Sequence, residues 1–188
     1  VSLHDDVLIN NLRSKKQEIA LISENSEVSI YLIGQSGVGK SYLIGQKISS
    51  TLSSVGCPSF SINANECSHG DLGSISRKDV LILLSNSGDT EELKPVIQYS
   101  NRFKITLIGI TSKKNSILYK ASDIKLLTPQ IKEAGGVVPT ASSAVQLALG
   151  DALAISAMQY KRFGKIDFKK LSSFGVDYKK PVSYTHLT

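Results

Sequence analysis

Residues 79–93, DVLILLSNSGDTEEL, carry the reading of this chain. The apolar run Val80-Leu81-Ile82-Leu83-Leu84 breaks into Ser85-Asn86-Ser87-Gly88, and an acidic segment with helical character follows. The pattern predicts a strand that runs into a hydroxyl-rich turn at a helix N-terminus. Such a turn presents free backbone N–H groups and two serine hydroxyls beneath the positive end of a helix dipole. It is suited to an anion, most of all a phosphate monoester. Ser and Thr also favour turns and caps for purely local reasons. The Ser-x-Ser-Gly grouping directly after a buried strand favours a binding role for Ser85, Ser87 and Thr90.

Outward from this segment, strands and helices alternate. A leading helix is expected over residues 3–23, where Leu3, Val7, Leu8, Leu12, Ile19 and Ile22 fall near helical spacing. Short apolar strands are expected over 30–33, 59–62, 80–84, 105–110 and 124–127. Helices are expected over 40–55, 90–101, 115–121 and 142–160, the first ended by Gly56 and Pro58. Continuous apolar strands between helices predict a parallel sheet covered on both faces. Ligands of such sheets sit beyond the carboxyl ends of the strands, where the hydroxyl- and glycine-rich turns fall.

The chain has 188 residues and a formal net charge of +6, with 41% hydrophobic and 20% charged residues, which suits one domain with a substantial core. Much of the basic excess lies late, at Lys161, Arg162, Lys165, Lys169, Lys170, Lys179 and Lys180. A solvated surface is expected there rather than a nucleic-acid interface. Cys57 and Cys67 form no zinc-like or redox spacing, and a reduced, cytoplasmic setting is the expectation. No apolar run approaches the roughly 20 residues that span a bilayer, so no membrane partner is expected. The N-terminus lacks a signal-peptide core and an initiator Met, as a fragment would.

Upstream, GQSGVGKS at residues 34–41 satisfies the P-loop pattern G-x-x-x-x-G-K-[ST]. In a P-loop, Lys40 would reach the terminal phosphates and Ser41 would ligate magnesium. Such enzymes also need an acidic metal-organising residue at the end of another apolar strand. The strand over 80–84 delivers Ser85-Asn86-Ser87 instead, and Asp79 stands at its opposite end. The second reading takes Gly37-Val38-Gly39-Lys40-Ser41 as a tight turn that sets a lysine and a serine beside a sugar.

With GVGKSYLIGQK, GCPSF, NECSHGDLG, DVLILLSNSGDTEEL, IKEAGGVVPTASS and GDALA in that order, the chain resembles the sugar isomerase (SIS) domain family, and within it the arabinose-5-phosphate isomerases. The resemblance covers residues 28–168. It implies a three-layer α/β/α sandwich on a five-stranded parallel, flavodoxin-like sheet. It also implies a single domain over 1–168 followed by a tail over 169–188. The implied activity interconverts an aldose phosphate and a ketose phosphate, most specifically D-arabinose 5-phosphate and D-ribulose 5-phosphate, through an enediol. That chemistry requires neither a redox cofactor nor a metal. A base removes the proton alpha to the carbonyl, the enediol is reprotonated at the neighbouring carbon, and an acid or cation steadies the oxyanion.

The resemblance implies catalytic roles for Lys40, His69, Glu133 and Asp89. It implies substrate contacts from Gly39, Ser41, Ser85, Asn86, Ser87, Gly88, Thr90, Ser142 and Ser143. His69 would otherwise be read as a loop-packing histidine, although a pKa of about 6.5 suits proton transfer. Glu133 on its own could be a solvated surface acid, and Asp89 a stabiliser of the helix dipole. The family usually has glutamate at the position of Asp89, and Glu92 is an alternative. The family's His-Pro-Gly-Gly turn is replaced here by Asp167-Phe168-Lys169-Lys170, and an isolated domain without the regulatory domain pair of many relatives is the expectation. The missing histidine favours an alternative, a non-catalytic sugar-phosphate-binding module of the kind used in regulators, while the retained Lys40, His69 and Glu133 favour the enzyme; an isomerase of another sugar phosphate is the further alternative. The closing VSYTHLT matches nothing in the family, and a non-native junction is one origin it leaves open. A homo-oligomer, dimer or tetramer with shared active sites, is implied by the family. The helix over 142–160 supports it, being apolar on nearly every face.

Overall fold

The computed structural model describes residues 29–34, 40–65, 67, 70–136 and 138–173. The helix expected over 3–23, the glycine turn over 35–39 with Gly39, the candidate His69, and the closing VSYTHLT lie outside the described residues.

Five strands form one sheet: β1 (Ile30–Gly34), β2 (Ser59–Asn63), β3 (Val80–Leu84), β4 (Thr106–Thr111) and β5 (Ile124–Leu127). Every neighbouring pair is parallel and the spatial order is β2-β1-β3-β4-β5. All five residues of β3 are buried because helices cover both faces of this central strand. Its side chains alternate between two cores. Ile82 and Leu84 join Ile30, Leu32, Ile108 and Ile110 beneath α1 (Lys40–Ser54) and the 20-residue helix Ala141–Tyr160. Leu81 and Leu83 join Leu107 beneath α2 (Lys94–Phe103) and α3 (Ile117–Ala121). The molecule is therefore a three-layer α/β/α sandwich with a five-stranded parallel sheet.

The helix Ala141–Tyr160, hereafter α4, turns a stripe of Ser142, Gln146, Leu149, Gly150, Leu153, Ala154 and Ala157 inward. Against it α1 turns Ile44, Ile48 and Leu52, spaced four apart. The two helices approach so closely that a Cβ on Gly150 would stand 2.2 Å from Ile48 Cγ1. Asp151 on α4 also pairs with Lys47 on α1. By length and composition α4 could cross a membrane, contrary to the expectation that no run comes close. In this fold its inner stripe is packed in the core.

Several boundaries differ from those expected. The helix expected over 90–101 is a 3-10 turn, Glu91–Leu93, followed by α2 from Lys94. Pro95 explains the break, since proline lacks an N–H and is tolerated only in a helix's first turn. The helix expected over 115–121 begins at Ile117, where the Ser116 hydroxyl caps it by accepting the Tyr119 N–H. A further helix, α5 (Lys165–Ser173), lies beyond the last helix expected.

Candidate functional site

β1 and β3 are neighbours whose chains leave in opposite directions along the sheet, β1 toward β2 and β3 toward β4. This is the topological switch point of a parallel sheet, where a crevice opens beyond the carboxyl ends. A cavity of about 290 Å³ lies there. The first turn and a half of α1 supplies Lys40, Ser41 and Ile44, and the turn after β3 supplies Ser85, Asn86 and Ser87. The opening of α4 supplies Pro139, Ser142, Ser143 and Gln146.

The turn after β3 is braced from three sides. Within it, Ser85 Oγ accepts the Gly88 N–H at 3.0 Å and lies 2.9 Å from Thr90 Oγ1. From β4, the Asn86 carbonyl accepts Ser112 N–H at 3.1 Å, Ser112 Oγ at 2.8 Å and Thr111 Oγ1 at 3.2 Å. From α3, Leu118 N–H donates to the Gly88 carbonyl at 2.9 Å, and Ile117 N–H donates to Asp89 Oδ1 at 2.8 Å. Gly88 has φ +69°, and a Cβ there would stand 2.2 Å from Ser116 Oγ. Only glycine allows this turn to sit against α3. Ser85 is buried and spent on the turn itself, whereas Ser87 is exposed at the cavity.

Two helix N-termini, those of α1 and α4, meet at the cavity, and neither carries an acidic residue in its first turn. Lys40 is the one charged side chain among the described lining residues, and its Nζ stands 3.5 Å from the Pro139 carbonyl. Lys40 and the lining hydroxyls make the site rich in donors, as an anion pocket must be, while the amides at the start of α4 are taken by the Glu133 carboxylate.

The candidate residues divide in space. Lys40, Ser41, Ser85, Asn86, Ser87, Ser142 and Ser143 line the cavity. Gly88 and Thr90 lie behind it, within the turn. Asp89 is turned toward α3 and caps its first N–H. Glu133 lies on the N-terminus of α4, where its Oε2 accepts Thr140 N–H at 2.8 Å and Ser142 N–H at 3.3 Å. Hydrogen bonds from the Ser142 side chain and the Thr140 N–H, with further ones from the Ser142 and Ala141 amides, lower its carboxyl to about 2. In this conformation Glu133 is a helix cap and a weak base. Among the described residues no cluster of three or more His, Cys, Asp and Glu side chains is placed to hold a metal.

Sequence reasoning missed Ile44, Pro139 and Gln146. Pro139 and Ile44 give no chemical signal. Gln146 gives one, as a polar residue in the apolar stretch Val145–Leu149, four positions after Ser142 and so on the same helix face.

The SIS domain family model matches residues 9–156, and the chain belongs to that family. An uncharacterised protein of Rickettsia prowazekii is 45% identical over 134 residues, 71% of this chain and 42% of that protein. Arabinose 5-phosphate isomerase KdsD of Pseudomonas aeruginosa is 43% identical over 134 residues, 70% of this chain and 41% of the enzyme. The chain thus spans less than half the length of these curated relatives. Among solved structures, protein c3406 of Escherichia coli CFT073 in complex with arabinose 5-phosphate superposes with TM-score 0.72 at 28% identity. That match covers 92% of this chain and all of the other.

Proposed function

We propose that this domain binds a phosphorylated sugar in the cavity between α1, α4 and the turn after β3, and that it interconverts the aldose and ketose forms through an enediol. D-arabinose 5-phosphate and D-ribulose 5-phosphate are the proposed pair. The observation that carries the reading is the convergence of the α1 N-terminus, Lys40 and the exposed hydroxyl of Ser87 on one cavity, with no carboxylate among its described lining side chains. Similarity to KdsD and to the structure that holds arabinose 5-phosphate supports this choice of sugar.

In the proposed reaction the proton on C2 of the aldose passes to a base, O1 gains a proton, and the enediol is reprotonated at C1 as the O2 proton leaves. Lys40 lines the cavity and is suited to steady the oxyanion. Glu133 can act as base only after it exchanges the amides of α4 for substrate, which would also raise its pKa toward the operating range. His69 and Asp89 are the other candidates for proton transfer. The test is an aldose–ketose conversion assay across five- to seven-carbon sugar phosphates, run in deuterated water. Conversion with deuterium entering the product supports the isomerase. Binding with neither conversion nor exchange supports the binding-module reading, which the capping role of Glu133 favours.

A further inference from the structure

We propose that the Gln146 carboxamide reads a hydroxyl of the bound sugar, on the carbons next to the phosphate, and so helps to set which sugar phosphates this site accepts. The proposal rests on the sugar-phosphate reading of the cavity.

Gln146 is 4% exposed and lines the cavity from α4. Among the described residues nothing hydrogen-bonds its side chain. Other buried polar groups in this fold are partnered: Ser116 Oγ donates to the Lys113 carbonyl, Ser122 Oγ to the Leu118 carbonyl, and Asp79 accepts Ser29 N–H and Ser76 N–H. Ser61 and Thr128 also lack partners, but their hydroxyl oxygens are sealed off, whereas the Gln146 amide opens on the cavity. Whatever fills the cavity must therefore partner the amide, water when the site is empty and a polar ligand group when it is filled, whereas a leucine or methionine in the same place would ask for no partner.

Its place along α4 indicates which part of a ligand it meets. Four residues separate it from Ser142, about 6 Å along the helix axis, so it lies one turn further along α4 than Ser142 and Ser143, which line the same cavity at the helix start. A phosphate oxygen only accepts hydrogen bonds. A carboxamide both donates and accepts, as a sugar hydroxyl does. Ile44 supplies the apolar wall of the same cavity, against which a carbon chain can lie.

A site built to hydrogen-bond a hydroxyl rejects an analogue that lacks it. The experiment uses the full chain and calorimetry with three probes: inorganic phosphate, arabinose 5-phosphate, and its analogue deoxygenated at the carbon next to the phosphate-bearing carbon. Gln146→Met keeps the volume and removes the hydrogen bonds. It is expected to weaken arabinose 5-phosphate binding by about 10- to 100-fold, by the lost hydrogen bonds to a buried polar group. It should also nearly abolish the preference over the deoxy analogue and leave inorganic phosphate binding unchanged. Gln146→Leu provides the same reading if Gln146→Met does not fold. Wild-type affinity and selectivity in the variant overturn the proposal, as does an equal loss of inorganic phosphate. If the wild type binds no inorganic phosphate, the sugar-phosphate reading falls and this proposal with it; if phosphate binds without discrimination by Gln146, the proposal falls alone.

Discussion

The Glu133 carboxylate accepts the backbone N–H of Thr140 at 2.8 Å. A residue of a glycine-bearing loop thus closes back on the start of α4, and Ser142 N–H adds a second bond to the same oxygen. Four backbone N–H groups at a helix start have no partner within the helix, and an anion is the natural occupant.

This geometry sets the sign of a pH effect. The Glu133 carboxyl is lowered from 4.5 to about 2 in the folded chain. Its stabilising contribution is therefore full above about 4.5 and is lost as pH falls through about 2. Urea midpoints of the wild type and Glu133→Gln should differ at pH 6 and draw together toward pH 3. A gap that stays constant over that range would show that the carboxylate is not what caps α4.

The two serines of the turn after β3 should separate by role. Ser85→Ala removes the acceptor for Gly88 N–H and is expected to cost about 1 kcal/mol of stability, the typical net worth of such a bond. Ser87→Ala should leave stability within about 0.5 kcal/mol, as for other surface substitutions, and weaken sugar-phosphate binding. The double variant should lose most affinity for the phosphorylated sugar while binding of the unphosphorylated sugar stays weak throughout. Thermal melts and calorimetry on the three variants check this, and unchanged affinity in the double variant removes the turn from the site.

No nucleotide hydrolysis is expected, despite the P-loop pattern. Asp79 sits at the N-terminal end of β3, and its carboxylate is engaged by Ser29 N–H at 3.0 Å and by Ser76 N–H at 2.7 Å. The carboxyl end of β3 delivers Ser85, and no acid lines the cavity among the described residues. Magnesium-dependent binding of ATP or GTP in a titration would overturn this.

The outer face of α4 leaves Ala144, Ala148 and Ile155 at least partly exposed, Ile155 to 50%, and on α1 in the same layer Leu43 is 61% exposed. We expect these helices to be covered by a second copy of the chain, in a dimer or tetramer. Light scattering should report a multiple of the chain mass. A mixture of Lys40 and His69 variants, each inactive alone, should regain partial activity if subunits share sites. A monomer with full turnover contradicts the arrangement.

What the sequence determined by itself is local. An uninterrupted apolar run between polar turns reads as a strand covered on both faces, and β3 is that strand, with the same bounds. Ser-x-Ser-Gly after it marks a turn because hydroxyls and glycine satisfy backbone geometry within a few residues, and the turn forms there. The tertiary structure decided what depends on distant partners. Asp89 meets Ile117 28 residues away, which turns an expected catalytic acid toward a helix end. Glu133 is drawn onto α4 by amides that exist only once that helix begins at Ala141. Gln146 reads as one polar residue in an apolar helix until α4 is laid beside α1 and the turn after β3, when the cavity between them leaves its amide open. Periodicity reports which face of an element is buried; which residues from separate elements meet is set by the order β2-β1-β3-β4-β5 and by how closely the helices approach across it.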